Sequence, residues 1–299
     1  MRQPVLVSVV IPVHNRPAEV LRAVRSVLGQ KNLPTGHCLE IIVVDDGSTD
    51  ATPEALRTVR NPRVQLIRHE TNLGVSAARN RGLAAAQGEM LALLDSDDWW
   101  LPEKTAVHLR CHQAGGWRIS QTDEIWIRHG RRVNPKDKHG KPEGWFLEQA
   151  LKLCLISPSC VLFDREFWDE IGPFDPLLPA CEDYDLWLRT LVRHPVGLCP
   201  QKLVCKTGGH PDQLSRKIIG LDLYRLQAMD KLLRNAKMTP RQREMTLREL
   251  RAKAAIYIQG SLKHDRSDEA QRVKEWLRPW LTEMNAETPR PDVEGITRT

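Results

Sequence analysis

The run Met90 to Leu94 is uniformly apolar, and it passes directly into Asp95, Ser96, Asp97 and Asp98, then Trp99, Trp100 and, at 102, a proline. A short apolar run without alternation reads as a strand covered on both faces, as in a parallel sheet. Two earlier segments share the pattern: Val5 to Ile11, ended by Pro12, and Leu39 to Val44, which runs into Asp45 and Asp46. Val64 to Ile67 is a weaker strand. Helices separate them. Pro17 opens one whose Val20, Leu21, Val24, Val27 and Leu28 recur at helical spacing. A shorter one, capped by Thr49 or Asp50, carries Ala55, Leu56 and Val59, and a small-residue helix, Ala77 to Ala86, ends at Gly88. This alternation predicts an α/β fold with a doubly wound, mostly parallel sheet and right-handed crossovers.

Beyond residue 115 the pattern changes. Trp117 to Ser120 and Glu124 to Arg128 read as paired strands joined by a turn, and the charged stretch RHGRRVNPKDKHGKPEG reads as an exposed, mobile loop, either a lid or a plain surface loop. Phe146 to Leu153 predicts a helix, Cys160 to Phe163 a buried strand, and Phe167 to Ile171 a helix stopped by Gly172. Glu182 and Asp183 open another helix, with Leu186, Leu191 and Val192 among its apolar residues. Strands near Val196 to Cys199 and Leu203 to Lys206 follow. Residues 215–281 are amphipathic and helical, with Thr239 and Pro240 as a helix-start pair and Ser267 as a cap. The expected organisation is a half at 1–115, a second half of the same domain at 116–214, a helical extension at 215–284 and a disordered tail at 285–299.

Composition narrows the class. With 41% hydrophobic and 27% charged residues in 299, the chain is globular in character. No run approaches a membrane span and the N-terminus lacks the layout of a signal peptide, so the expected location is cytoplasmic. Seven cysteines without a Cys-x-x-Cys pair favour reduced, buried thiols over disulfides or zinc. A net charge of +6 allows acidic partners, but the basic residues are scattered and no nucleic-acid partner is expected. In the last helix Trp276 and Trp280 accompany Arg272, Lys274 and Arg278, which opens a peripheral membrane contact as an alternative to packing on the core or on a second subunit.

The acids carry the chemistry. In doubly wound sheets ligands bind beyond the carboxyl ends of the strands, where Asp45, Asp46, Asp95 and Asp97 would all stand. A lone Asp-x-Asp is more often a solvated turn. Two acidic clusters at one sheet edge instead suggest a divalent cation held by one or two carboxylates and completed by substrate phosphates. Neither a Gly-x-Gly-x-x-Gly nor a glycine-lysine phosphate loop follows the first strand, so phosphates must be met by a cation or by side chains.

The segments VSVVIPVHN, IIVVDDGSTD and NLGVSAARNRGLAAAQGEMLALLDSDDWWLPEK closely resemble the nucleotide-sugar domain of inverting glycosyltransferases of family two, which have the GT-A fold. The resemblance is strong to about residue 110 and extends, through ACEDYDLWLR, to about residue 210. It implies transfer of a sugar from a nucleoside diphosphate donor to an acceptor hydroxyl of a glycan or lipid-linked molecule. It places Asp46 and Pro12 at the base and Asp95 at the ribose. Asn15, Asp45, Arg79 and Ser96 complete the expected donor contacts. Mn2+ or Mg2+ would be held by Asp97, with Asp95 and His210 beside it. Asp183 of the Glu182–Asp183 pair would be the general base, although spacing alone reads these acids as an ordinary helix start. Gln213 and Arg216 are followed by Lys217 where processive synthases have tryptophan, so the resemblance implies a non-processive enzyme acting in surface polysaccharide, lipid-linked glycan or glycolipid synthesis, at most peripheral at the inner face of the membrane. A sugar nucleotidyltransferase and a non-catalytic sugar-binding scaffold on the same fold are the competing readings; homo-oligomerisation stays open.

Overall fold

The computed structural model describes residues 5–209 and 220–282. A nine-stranded sheet runs through the protein. Its strands are β1 (Leu6–Val13), β2 (Cys38–Asp45), β3 (Val64–Arg68), β4 (Met90–Leu93), β5 (Trp99–Trp100), β6 (Ile119–Arg128), β7 (Arg131–Val133), β8 (Val161–Asp164) and β9 (Gly197–Gly208). They are ordered β3-β2-β1-β4-β8-β6-β9-β5, with β7 on β6. The first four are mutually parallel. β8 is antiparallel to its neighbours β4 and β6, β9 runs parallel to β6, and β5 is antiparallel to β9, so the sheet is mixed. The chain goes from β1 outward to β2 and β3 and then returns to β4 on the other side of β1. That reversal opens a crevice at the carboxyl ends of β1 and β4.

The apolar runs have no alternation because both faces are covered. Val10, Ile42, Val44, Leu91 and Leu93 pack in one layer with α3 (Val75–Ala85), α7 (Glu182–Leu191) and the C-terminal helices. Val9, Ile11, Ile41, Val43 and Ala92 pack in the other with α1 (Pro17–Leu28) and Leu56 of α2 (Thr52–Arg57). The small residues of α3 allow a close approach: a Cβ on Gly82 would lie 2.3 Å from Val10 Cγ1.

The structure differs from the sequence expectations in the second half. The two strands expected around a turn at 121–123 are one strand, β6, interrupted by register shifts against β9 at Asp123. The polar residues Gln121 and Thr122 that suggested a turn are fully buried. Likewise β9 is continuous where two strands were expected. Thr122 aligns with Cys199 and Asp123 with Lys202, so Pro200 and Gln201 bulge outward, the usual place for a proline in a strand. Trp99 and Trp100, which break the apolar pattern, form β5 on the far edge. Trp100 is buried, and its indole donates to the Ser159 carbonyl at 2.9 Å. After β6 come α5 (Leu147–Lys152), α6 (Arg165–Ile171) and α7, while α4 (Lys104–Gly115) precedes it.

The charged loop after β6 is tethered rather than loose. β7 closes a hairpin with β6, and Lys141 turns inward to within 3.2 Å of Glu124 Oε2. Burial pushes the Glu124 carboxyl up, but the Lys141 and Lys206 ammonium groups outweigh it and hold it well below the usual carboxylate range. A depressed folded value means that Glu124 contributes stability present at neutral pH and lost as pH falls below the unfolded value of about 4.3. In urea unfolding, Glu124→Gln is therefore expected to cost about 1–3 kcal/mol at pH 7. The wild-type advantage should shrink at each step below about pH 4.5; a pH-independent difference would exclude the charge as its cause.

The helical extension comprises α8 (Leu221–Asn235), α9 (Pro240–Lys263) and α10 (Ser267–Thr282). Thr239 and Gln242 form a reciprocal capping box at α9. Trp276 and Trp280, the aromatics behind the membrane-surface alternative, point into the protein: their indoles donate to the two oxygens of Asp230 at 3.0 and 2.5 Å. Among the described residues no helix is long and apolar enough to cross a membrane. The tail at 285–299 and the loop segment with His210 lie outside the described residues.

Candidate active site

The crevice at the switch point is a cleft of about 710 Å³. Pro12 stands near the end of β1 and Arg16 in the loop after it, Asp46 in the loop after β2, Asn72 to Gly74 in the loop before α3 with Val75 and Ser76 in the first turn of that helix, and Asp95 to Asp97 in the loop after β4. Arg79 of α3, Glu182 of α7 and the Pro176 to Pro179 segment close the other side.

Asp46 is buried and fully engaged. Its Oδ1 accepts from the Leu73 amide at 2.9 Å and meets His69 Nδ1 at 2.7 Å, and its Oδ2 accepts from the Gly74 amide at 2.8 Å. These bonds fix the loop before α3 as one wall of the cleft. Asp45 and Asn15, both expected at the donor, are spent on loop geometry instead. Asp45 Oδ1 accepts from the Ser48 amide. The Asn15 amide donates to Ser48 Oγ and its side-chain oxygen accepts from the Thr49 amide, which staples the β1 loop to the β2 loop. Neither lines the cleft.

The turn after β4 is built on Asp98, which the sequence reading passed over. Asp98 is buried beneath the turn, where Ser159 Oγ donates to it at 2.6 Å and the Thr207 amide at 2.8 Å. Ser159 Oγ also accepts from the Asp95 amide at 3.1 Å. Burial, then the Asp97 and Asp95 charges, raise the Asp98 carboxyl well above its ordinary value, with Lys206 opposing. The backbone carbonyl of Asp97 accepts from Arg22 Nη2 at 2.6 Å and from Thr207 Oγ1 at 2.8 Å. Asp95, Ser96 and Asp97 are thereby presented to the cleft on a fixed backbone.

Each of the two presented aspartates faces its own arginine. Arg79 Nη2 lies 2.8 Å from Asp95 Oδ1 and Arg16 Nη1 lies 2.5 Å from Asp97 Oδ2. Arg79 also binds Glu182 Oε1 at 2.7 Å and stacks over Phe174 at 5.1 Å. Its guanidinium, expected at the donor, is thus buried as a bridge between the end of β4 and the first turn of α7. Burial would lower its pKa, but Asp95 and Glu182 together keep it raised. Glu182 is raised by burial, then by Asp183, against the pull of Arg79. Successive helix residues point about 100° apart. Asp183 is not among the residues that line the cleft; it accepts from Cys154 Sγ at 3.5 Å and carries no ion pair among the described residues. Of the two acids, Glu182 is paired with Arg79 and Asp183 is not.

Four lining carboxylates, Asp46, Asp95, Asp97 and Glu182, face two lining guanidinium groups, Arg16 and Arg79. Burial raises the Asp97 carboxyl; Arg16 opposes the rise and the nearby Asp95 adds to it. Among the described residues no group of three or more His, Cys, Asp or Glu side chains could hold a metal by itself. A donor set of one or two carboxylates suits Mg2+ or Mn2+ completed by phosphate oxygens, so the residues present fit such an ion. Arg16 was missed in the sequence. Its position in the first loop beyond a strand at the acidic edge was the available signal.

An α/β sheet that gathers acids at its switch point has a ligand site where this class of fold places one, and sequence comparison gives the family. The chain belongs to glycosyl transferase family 2, whose model matches residues 8–172. It is 30% identical over 191 residues, covering 62% of this chain and 70% of the relative, to the UDP-Glc:alpha-D-GlcNAc-diphosphoundecaprenol beta-1,3-glucosyltransferase WfaP of Escherichia coli. The chain spans about a third of the length of several curated relatives that it matches, at 36%, 36% and 32% of theirs. Its fold is that of S. aureus TarS 1-349 solved with UDP-GlcNAc, with a TM-score of 0.68 at 17% identity over 91% of each chain. It is also that of the mannosyltransferase PcManGT of Pyrobaculum calidifontis, solved with GDP-Man and Mn2+, with a TM-score of 0.59 at 18% identity over 93% of this chain and 84% of the other.

Proposed function

We propose that this protein is a non-processive, inverting glycosyltransferase that moves a sugar from a nucleoside diphosphate donor to an acceptor hydroxyl. The observation that carries the reading is the pair Asp95 and Asp97, held on a rigid turn at the switch-point cleft with carboxylates in excess. An anionic diphosphate entering that cleft requires a cation to come with it. Bound Mn2+ or Mg2+ would supply Lewis-acid stabilisation of the leaving diphosphate, with Asp97 and Asp95 as its protein ligands and His210 as a further candidate. The chain's own groups do the rest. Asp46 and Pro12 bound the pocket for the base, Ser96 and Asp95 line the ribose end, and Asp183 accepts the proton of the attacking hydroxyl. Attack from the side opposite the diphosphate inverts the anomeric carbon.

A glycan or lipid-linked acceptor in surface polysaccharide or related envelope synthesis is supported by the family and by the acceptor in the name of the E. coli relative. Leu177, 86% exposed between the cleft-lining Pro176 and Leu178, is an apolar point at the mouth suited to a lipid-linked acceptor or to peripheral contact at the inner face of a membrane.

Titration of UDP, GDP, dTDP and CDP, with and without Mn2+, tests the donor site. One diphosphate is expected to bind only with the ion, and Asp97→Ala should weaken it by a factor of about 100, the effect of losing a ligand with most of its charge compensation. A folded protein that binds none of the four would support a non-catalytic scaffold on this fold instead.

A further inference from the structure

Asp46 offers a ligand less than a free carboxylate would. A carboxylate has about four lone-pair sites, two on each oxygen, and donates nothing. The Leu73 amide and His69 Nδ1 take both sites of Asp46 Oδ1, and the Gly74 amide takes one of Oδ2. Because the carboxylate only accepts, the hydrogen of the His69 contact stands on Nδ1. One site remains, on Oδ2, and the 5% of the side chain still exposed belongs to the cleft that Asp46 lines.

The arrangement is rigid. His69 directly follows β3, and its amide donates to the Asp45 carbonyl at 2.9 Å, which continues the β2–β3 pairing. The loop from His69 to Gly74 is pressed onto the loop after β2: a Cβ on Gly47, whose φ is +67°, would lie 2.4 Å from the Thr71 carbonyl carbon. The Asp46 carboxylate is thus held in one rotation and presents a single lone pair rather than two oxygens. On the same wall, Asn72 Oδ1 accepts from the Gly74 amide at 3.1 Å, which leaves the Asn72 amide nitrogen to donate.

We propose that His69, by occupying Asp46 Oδ1, restricts the donor to a base whose edge carries one N–H between two carbonyls, a 2,4-dioxopyrimidine such as uracil or thymine, and so rejects guanine. This rests on the nucleoside diphosphate donor reading above and deepens it by naming the class of base and the residue that selects it. The N3–H of such a base donates to the one open site of Asp46, and a flanking carbonyl accepts from Asn72. Guanine brings two adjacent donors, N1–H and N2–H, which suit a carboxylate with both oxygens open. Here one of them would face the saturated Oδ1 and stay unpaired away from water. Cytosine and adenine set a ring-nitrogen lone pair beside their amino group, and that lone pair would face the carboxylate. A site that leaves polar groups of the wrong ligand unpaired discriminates more sharply than one that relies on size.

The test is read by isothermal titration calorimetry in the presence of Mn2+, on wild type, His69→Phe and His69→Asn. The ligands are UDP, GDP, CDP and the diphosphate of 3-methyluridine, in which a methyl group replaces the N3 hydrogen. Wild type should bind UDP about tenfold or more tighter than each of the other three, the weight of one hydrogen bond to a charged group. His69→Phe keeps a ring but donates nothing, so Oδ1 is released and the preference for UDP over GDP should fall about tenfold. His69→Asn puts an amide nitrogen one bond from Cγ, where Nδ1 stands, and should keep the wild-type preference. A wild type that binds GDP, CDP or the methylated analogue as tightly as UDP would overturn the base assignment while leaving a nucleoside diphosphate site standing. An undiminished preference in His69→Phe would overturn the role of His69. An equal fall in His69→Asn would overturn it too, by making ring packing rather than the donated hydrogen the cause. A folded wild type that binds none of the four would remove the donor reading itself.

Discussion

Replacing Arg79 by methionine is expected to destabilise the protein by about 3–5 kcal/mol at pH 7, because it leaves two carboxylates without their shared cation. Methionine approximates the stem of arginine in volume and can still pack on Phe174, so the loss isolates the charge. Glu182, already raised by burial and by Asp183, would lose the opposing pull of Arg79 and be raised further in the folded variant. A raised folded value gives stability that is present below the unfolded carboxyl value of about 4.3 and lost as pH rises through the folded one. The deficit relative to wild type should therefore be largest at neutral pH and shrink on acidification, as read by urea unfolding across pH 4–8. Arg79→Lys should fall between the two, since a point charge cannot serve two carboxylates in a fork. A deficit constant with pH would mean that lost packing, not lost charge, is the cause. Donor affinity should drop as well, because the same bridge orients Asp95.

Replacing Asp183 by asparagine is expected to lower kcat by about 10²–10⁴-fold, the usual contribution of a general base. Asparagine keeps an oxygen for the Tyr184 amide, which donates to Asp183 Oδ1 at 2.7 Å, and gives up only the weak Cys154 thiol contact at Oδ2, so the fold should persist. Donor-diphosphate affinity should stay within about twofold, because a base acts on the transition state rather than on the bound donor. Glu182→Gln gives the contrast: it loosens Arg79, and its effect should appear first in stability and donor affinity. A near-normal turnover rate in folded Asp183→Asn would remove Asp183 from the base role and return attention to Glu182.

Much of the fold was legible because burial on both faces writes itself into a strand as an unbroken apolar run. β1, β2 and β4, with α1 and α3 between them, follow from that signal, and their order places the acids of two loops at one edge. The misses share a cause. β6 and β9 carry polar residues at their centres, Gln121 and Thr122 in one and Pro200 and Gln201 in the other, and locally such residues look like turns. Paired across a bulge they belong to a sheet, and pairing is a long-range property. Lys141 reads as one more charge in a basic loop until Glu124, distant in sequence, is seen to neutralise it.

The candidate site divides in the same way. The sequence by itself determined that the acids exist and that strands deliver them to a common edge, since both follow from local pattern. Which acid meets which partner was decided by tertiary structure alone. Asp98 looked like the third member of an acidic cluster and is the buried support of the turn. Asp45 looked like the twin of Asp46 and is a loop staple. Arg79, expected at the donor, lines the cleft and also bridges Asp95 to Glu182, and Arg16 drew no notice yet faces Asp97. The physical reason is range: apolar periodicity is imposed by neighbours along the chain, whereas the pairing of buried charges is settled by whichever opposite charge the fold brings within about 3–4 Å.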